Sequence, residues 1–267
     1  MKNSFKVDIR DGIATITLDK PSALNSMTLK DFDDFSDILR DIDQRQDVTV
    51  TIWQATRKLF SAGVDVGEAL SGSEGTVRTA FMKRIVGPYI NVSQALTTHR
   101  KLLVAALNGP AVGIAAAYLG HFDLIYALPS ASVSMPFSSL GMVTEAGSSV
   151  TFVRRLGITK ANEVLLLGKS LTSKEMLDSG FINEIFPSQS PASFHESVRA
   201  HIMGRLAGLD SNAMTSIKSL IQAGLQEQNN MDMVTMREAY LQAEIVASGV
   251  PRRCIARMAK GGRKAKL

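Results

Sequence analysis

Residues 101–127 read KLLVAALNGPAVGIAAAYLGHFDLIYA, and three kinds of local signal follow one another within them. Leu102 to Leu107 is an unbroken apolar run of the length that suits a buried strand. Asn108, Gly109 and Pro110 stop it. Small residues then open a helix, IAAAYLG, over about 113 to 120, and Leu124 to Ala127 is a second apolar run. Strand, glycine-rich turn, helix and strand in that order is the repeating unit of an α/β core.

The same alternation extends outward. Phe5, Val7 and Ile9 alternate, Asp11-Gly12 makes a turn, and Ile13 to Leu18 returns, which predicts a β-hairpin. From Thr28, a suitable N-cap, Leu29, Phe32, Phe35, Ile38, Leu39 and Ile42 form one helical stripe. Further strands are predicted at Val48 to Trp53 and Val133 to Met135, with helices near 77–98 and 146–167. After Ile182 to Phe186 the strand signal fades. Pro191 opens a helical stretch whose stripes are Ala213, Ile217, Leu220 and Ile221, then Met233, Met236, Tyr240 and Leu241; the methionines are expected in core or subunit contacts. We expect a body over 1–190, a helical C-terminal subdomain over 191–258 and a basic tail over 259–267. The segment Leu70 to Thr76 is the most loop-like.

Composition narrows the chemistry. The 267 residues suit one large domain with an appendage, and 45% apolar content fills a core. Cys254 is the only cysteine, which excludes an intramolecular disulfide and a thiolate metal cluster. No apolar run approaches the roughly 20 residues of a membrane span, and residues 1–12 lack a signal-peptide core, so neither membrane insertion nor secretion is expected. The net charge of +5 is scattered outside the tail and aromatics are only 6%, so no nucleic-acid partner is expected. An excess of positive charge also suits a substrate bearing several phosphates. The final Ala265, Lys266 and Leu267 have the small-basic-leucine pattern of a peroxisomal address. There is no phosphate-binding loop, dinucleotide fingerprint, zinc-hydrolase histidine pair or nucleophile elbow. What remains is acid-base work by carboxylates aided by backbone dipoles.

Two glycine segments, Ser61 to Asp65 (SAGVD) and Asn108 to Gly113 (NGPAVG), each follow a strand. Glycine lets backbone approach a ligand, and amides at a helix start face negative charge. Either segment alone would pass for an ordinary strand-to-helix turn; the pair is more telling.

At this point the chain resembles the crotonase (enoyl-CoA hydratase/isomerase) superfamily. The resemblance rests on residues 8–27 (DIRDGIATITLDKPSALNSM), 60–65 (FSAGVD), 101–127, 135–157 (MPFSSLGMVTEAGSSVTFVRRLG) and 161–187 (ANEVLLLGKSLTSKEMLDSGFINEIFP). It implies a crotonase-like ββα superhelix core of the α/β class with a helical C-terminal subdomain. It also implies an acyl-CoA thioester substrate whose carbonyl is held by the amides of Val64 and Ile114, an oxyanion hole for the enolate formed on loss of a proton. Coenzyme A is then part of the substrate, and no metal or separate cofactor is expected.

Fold alone does not choose the reaction. Hydratases of the superfamily use two glutamates, and the matching positions here are Ala117 and Phe137. A carboxylate stands instead at Glu145, in LGMVTEAG (140–147), similar to peroxisomal Δ3,Δ2-enoyl-CoA isomerases. The resemblance makes Glu145 the proton carrier from C2 to C4, in a pocket lined by residues such as Phe137, Leu140 and Met142, where burial raises its pKa. Without the resemblance, Glu145 reads equally as a first-turn helix residue behind a Thr144 cap. Asn91 is placed to hold this carboxylate or a water, or lies at the surface. Coenzyme A contacts map onto Ala23, Leu24, Ala62 and Asp65, largely through main chain. Lys218 would meet a coenzyme phosphate or face solvent from its helix. Other outcomes on the same fold are a dienoyl-CoA isomerase, a hydratase-like enzyme of secondary metabolism, or a noncatalytic acyl-CoA binding protein. The superfamily further implies a homotrimer or homohexamer, and the tail implies a peroxisomal import receptor as partner and the peroxisomal matrix as location.

Overall fold

The computed structural model describes residues 4–65, 67 and 76–260. The tail tripeptide Ala265 to Leu267 and most of the loop expected over 70–76 lie outside the described residues. Nine strands are described: β1 Phe5–Arg10, β2 Ile13–Leu18, β3 Val50–Ala55, β4 Leu102–Leu107, β5 Ala111–Val112, β6 Leu124–Ala127, β7 Ser132–Ser134, β8 Leu171–Thr172 and β9 Glu184–Ile185. Six form one sheet in the order β1-β2-β3-β4-β6-β9, parallel throughout except for the β1–β2 hairpin. A small sheet, β5-β7-β8, holds the second glycine segment. Strands β2, β3 and β4 are almost wholly buried, as parallel strands covered on both faces must be.

The helices are α1 Leu29–Gln44, α2 Val77–Ala80, α3 Val92–Thr97, α4 Ile114–Leu119, α5 Phe137–Leu140, α6 Ser148–Leu165, α7 Ser173–Asp178, α8 Pro191–Leu206, α9 Ser211–Gln228, α10 Met231–Ala247 and α11 Val250–Lys260. Thr28 caps α1, accepting from Asp31 N–H while the Asp31 carboxylate accepts from Thr28 N–H. On one face of the sheet, Phe35, Trp53, Phe60, Tyr118 and Phe122 form an aromatic cluster, with Trp53 centroids 5.0 Å from Phe35 and 4.7 Å from Phe60. The other face is covered by Phe194, Val198 and Ile202 of α8. This helix is built into the body.

The structure refines three expectations. The stretch expected as one helix over 77–98 is α2 and α3 joined by a π-helix, Phe81–Asn91, in which Val92 N–H bonds the Gly87 carbonyl five residues back. Pro88, inside it, has no N–H to give, so the backbone widens. The Pro88 carbonyl accepts from the Tyr118 hydroxyl at 2.5 Å. The helix expected from 146 begins at Ser148 with Gly147 as its N-cap, so Glu145 lies in the preceding turn and Thr144 caps nothing. Finally, of the apolar stripes on α9 and α10, Ile217, Leu220, Ile221, Met233, Tyr240 and Leu241 are exposed on the single chain, which leaves subunit contacts, and not the core of this chain, as their expected place. The buried side of α10 is Met231, Val234, Thr235, Glu238, Ala239, Gln242 and Ala243. Among the described residues no helix is long and apolar enough to cross a membrane.

Candidate active site

The two glycine segments lie side by side. Ser61 and Ala111 form a parallel bridge, Val112 N–H donates to the Ser61 carbonyl at 3.0 Å, and Met27 bridges Val64 from the other side. These contacts account for the amides of the first segment one by one. Ala62 N–H goes to the Leu24 carbonyl, Gly63 N–H to Ser61 Oγ and Asp65 N–H to the Met27 carbonyl. Val64 N–H has no acceptor among the described residues. In the second segment Val112 and Gly113 N–H are likewise used, the latter on the Ser134 carbonyl, and Ile114, first residue of α4, has no acceptor among the described residues. A Cβ placed on Gly63 would sit 3.7 Å from the Ile114 nitrogen, so the 63–64 peptide and that amide are neighbours.

Val64 and Ile114 both line a cavity of about 90 Å³ with Leu29, Ile85, Pro88, Tyr89, Leu140 and Met142. The π-helix therefore supplies one wall. Val246 of α10 and Pro251, Arg252 and Ile255 of α11 complete it, and Arg84 and Arg252 are the cations in it. Leu140 lines this cavity, whereas Phe137, 2% exposed, is packed into the core and is not part of the wall.

Glu145 stands behind Tyr89. It is 2% exposed, and its Oε2 has no hydrogen-bond partner among the described residues. Burial pushes its pKa from 4.5 up to about 8, the nearby Glu238 carboxylate adds to the rise, and the Tyr89 hydroxyl beside it pulls the other way. Its turn is tied down on every side. Glu145 N–H donates to Ser148 Oγ at 3.2 Å, and His121 Nε2 meets the carbonyl of Ala146, which is held at positive φ, at 2.7 Å. Glu238 and Gln242 of α10 accept from Gly147, Ser149 and Val143 amides. Periodicity did not single out either residue, since polar side chains on a helix read as its solvent face.

The expected coenzyme positions fall together at the edge of the first segment. Ala23 and Leu24 end a short 3-10 turn against Ala62, and Asp65 receives a 3.4 Å bond from Ser26 Oγ. Lys218 is not among them. It is buried on α9, donating to Asp123 Oδ2 at 2.6 Å and to the Lys101 carbonyl at 2.7 Å. Its ammonium is committed to the body, because a buried cation without such partners would cost several kcal/mol. That corrects the phosphate expectation. Asn91 gives its carbonyl to Arg40. No group of three or more His, Cys, Asp or Glu among the described residues is arranged to hold a metal ion.

The family model described as enoyl-CoA hydratase/isomerase matches residues 8–251, and the chain belongs to that family, within the crotonase superfamily. It is 35% identical to the Delta(3,5)-Delta(2,4)-dienoyl-CoA isomerase of Pyricularia oryzae, with both chains covered in full. It is 32% identical to the peroxisomal enoyl-CoA delta isomerase 3 of Mus musculus, covering 81% of this chain and 66% of that one. The crystal structure of an enoyl-CoA hydratase/isomerase from Pseudoalteromonas atlantica superposes with a TM-score of 0.84 at 24% identity, covering 97% of each chain, and so shares the fold.

Proposed function

We propose that this protein is a Δ3,Δ2-enoyl-CoA isomerase of fatty acid β-oxidation. The observation that carries the reading is one buried carboxyl, Glu145, with its pKa raised to about 8, beside Tyr89 of a cavity lined by Val64 and Ile114, whose amides have no acceptor among the described residues. The amides of Val64 and Ile114 take the thioester oxygen. Glu145 removes the C2 proton, the electron pair passes to that oxygen as a dienolate, and the Glu145 acid returns the proton to C4. The double bond has moved from C3–C4 to C2–C3, and base and oxyanion donors are as they began. A raised pKa helps here, since the base must take a proton from carbon. A cavity of about 90 Å³ holds no more than a few waters. The coenzyme lies along Ala23, Leu24, Ala62 and Asp65. The exposed apolar residues of α9 support assembly as a homotrimer or homohexamer.

A second reading, a Δ3,5,Δ2,4-dienoyl-CoA isomerase, is favoured by the name of the Pyricularia relative. It requires a proton delivered further along the chain and so a second acid. Phe137 occupies the position where the resemblance places that acid, and Glu238 has both oxygens on backbone amides. Purified protein given 3-enoyl, 2-enoyl and 3,5-dienoyl thioesters decides between them: turnover of the dienoyl substrate alone sinks the first reading. The pH profile is a further expectation. Because the working form is the carboxylate, kcat/KM should fall about tenfold per unit below a midpoint near 8 and level off above it. A midpoint near 4.5 would place the base in water. Location in the peroxisomal matrix, reached through an import receptor, is supported by the name of the mouse relative. A tagged copy lacking Leu267 should stay in the cytosol of cells that import the full chain; equal import would remove the tail signal.

A further inference from the structure

Glu238 and Gln242 are four residues apart on α10 and so project from one helix face. That face is inside: Glu238 is 7% and Gln242 0% exposed. Apolar side chains are the usual occupants of such positions, and a buried carboxylate is costly unless every oxygen is used. Here both are used. Glu238 Oε2 accepts from Gly147 N–H at 2.7 Å and Oε1 from Ser149 N–H at 3.0 Å, while Gln242 Oε1 accepts from Val143 N–H at 3.1 Å. The three amides bracket Glu145, two residues before it and two and four after it. Gly147 and Ser149 are also N-terminal amides of α6, which have no partner within their own helix, and a carboxylate there meets the positive end of the helix.

We propose that Glu238 and Gln242 are positioning residues for Glu145, a two-pronged clamp from the C-terminal helices that holds the 143–149 turn and aims its carboxyl. The inference rests on Glu145 being the base, but the clamp is measurable without turnover. The same geometry acts electrically. Burial raises Glu238's own pKa against the pull of its Ser149 and Gly147 hydrogen bonds, and once ionised it brings a negative charge toward Glu145 and so opposes its ionisation. The other groups facing Glu145 are Tyr89 from the π-helix and Tyr118 from α4, whose own ionisation it opposes. His121 after α4 is pushed down by burial to about 4 and is neutral in the working range. Arg84 and Arg252 lie across the cavity, and Arg237 acts on Glu238 from the neighbouring position of α10. Gln242 also bears loosely on the Tyr89 hydroxyl.

The test follows the Glu145 carboxyl directly, by NMR of protein labelled with ¹³C at glutamate side-chain carboxyls, its resonance assigned by its loss in Glu145→Gln. In Glu238→Gln the midpoint of Glu145 should fall by about half a pH unit or more, because a like charge has gone. In the same variant kcat should fall about tenfold with KM within about twofold, because one amide has lost its acceptor and the base is less well aimed. Gln242→Glu keeps the Val143 acceptor and adds a carboxyl to the same face, so its midpoint should rise. If Glu238→Gln does not fold, the direction of the Gln242→Glu shift decides alone. Midpoints that stay put in folded protein, or a kcat that drops only in proportion to the folded fraction, overturn the clamp. A wild-type protein that isomerises no thioester overturns the proposed function and leaves this titration to be read on its own.

Discussion

Glu145→Gln should lower kcat for conversion of a 3-enoyl thioester by roughly 10²- to 10⁴-fold and leave KM within a few-fold, since the amide keeps the shape of the side chain and loses only its basicity. The same substitution should make the protein more stable, and the sign of that effect follows from the raised pKa. The carboxyl is favourable to folding when protonated, so its stability is complete below about 4.5 and is lost as pH rises to about 8, where the folded state must ionise it. The loss amounts to about 5 kcal/mol at high pH. Glutamine has no proton to lose. Melting temperatures of wild type and variant should therefore be close at pH 5 and separate by several degrees at pH 9, with the inactive variant the higher. A merely structural glutamate would give the opposite pattern, a variant that loses activity because it loses stability. Near-normal turnover by Glu145→Gln would remove this residue from the mechanism.

The α/β body was legible because its signals are local. The run Leu102 to Leu107 and the strand Leu124 to Ala127 fall where the apolar runs place them, and Thr28 caps α1 as its side chain and spacing require. Glu145 and the two glycine segments stood out for a different reason: their order and spacing match a family, whereas single positions were open to plainer readings. The parts that escaped are long-range. Nothing within ten residues of Glu238 says that two amides some 90 positions earlier will meet it. Periodicity scores polar residues as solvent-facing, so it passed over the buried Glu238 and Gln242 side of α10 and picked out the opposite stripe of Met233, Tyr240 and Leu241, which is exposed on the single chain. Lys218 escaped for the same reason, its partner Asp123 lying 95 positions away. The π-helix had one local sign, Pro88, which marks a break without saying that the backbone will widen rather than end.

The amide pair offers the sharper test of geometry, because one methyl group is enough to disturb it. Gly63 has φ +86°, and a Cβ there would lie 2.6 Å from the Val112 carbonyl oxygen, a backbone atom that cannot swing aside. Two costs combine in Gly63→Ala: about 1–2 kcal/mol for alanine in a left-handed conformation, and an overlap relieved only by parting the 61–64 and 111–114 segments. Those segments carry the Val64 and Ile114 amides, so relief of the overlap moves one donor away from the other. Loss of a single oxyanion donor typically lowers kcat by about 10²- to 10³-fold, and Gly63→Ala should approach that range in protein that is still folded at 25 °C. Gly180 separates strain from displacement. It has φ +74° with nothing within 4 Å of a built Cβ, and it lies outside the cavity wall. Gly180→Ala therefore meets the conformational cost alone, and its kcat/KM should match wild type while its melting temperature falls by a few degrees. If Gly63→Ala behaved as Gly180→Ala does, losing stability and keeping its rate, the Val64 amide would have no part in holding the thioester oxygen.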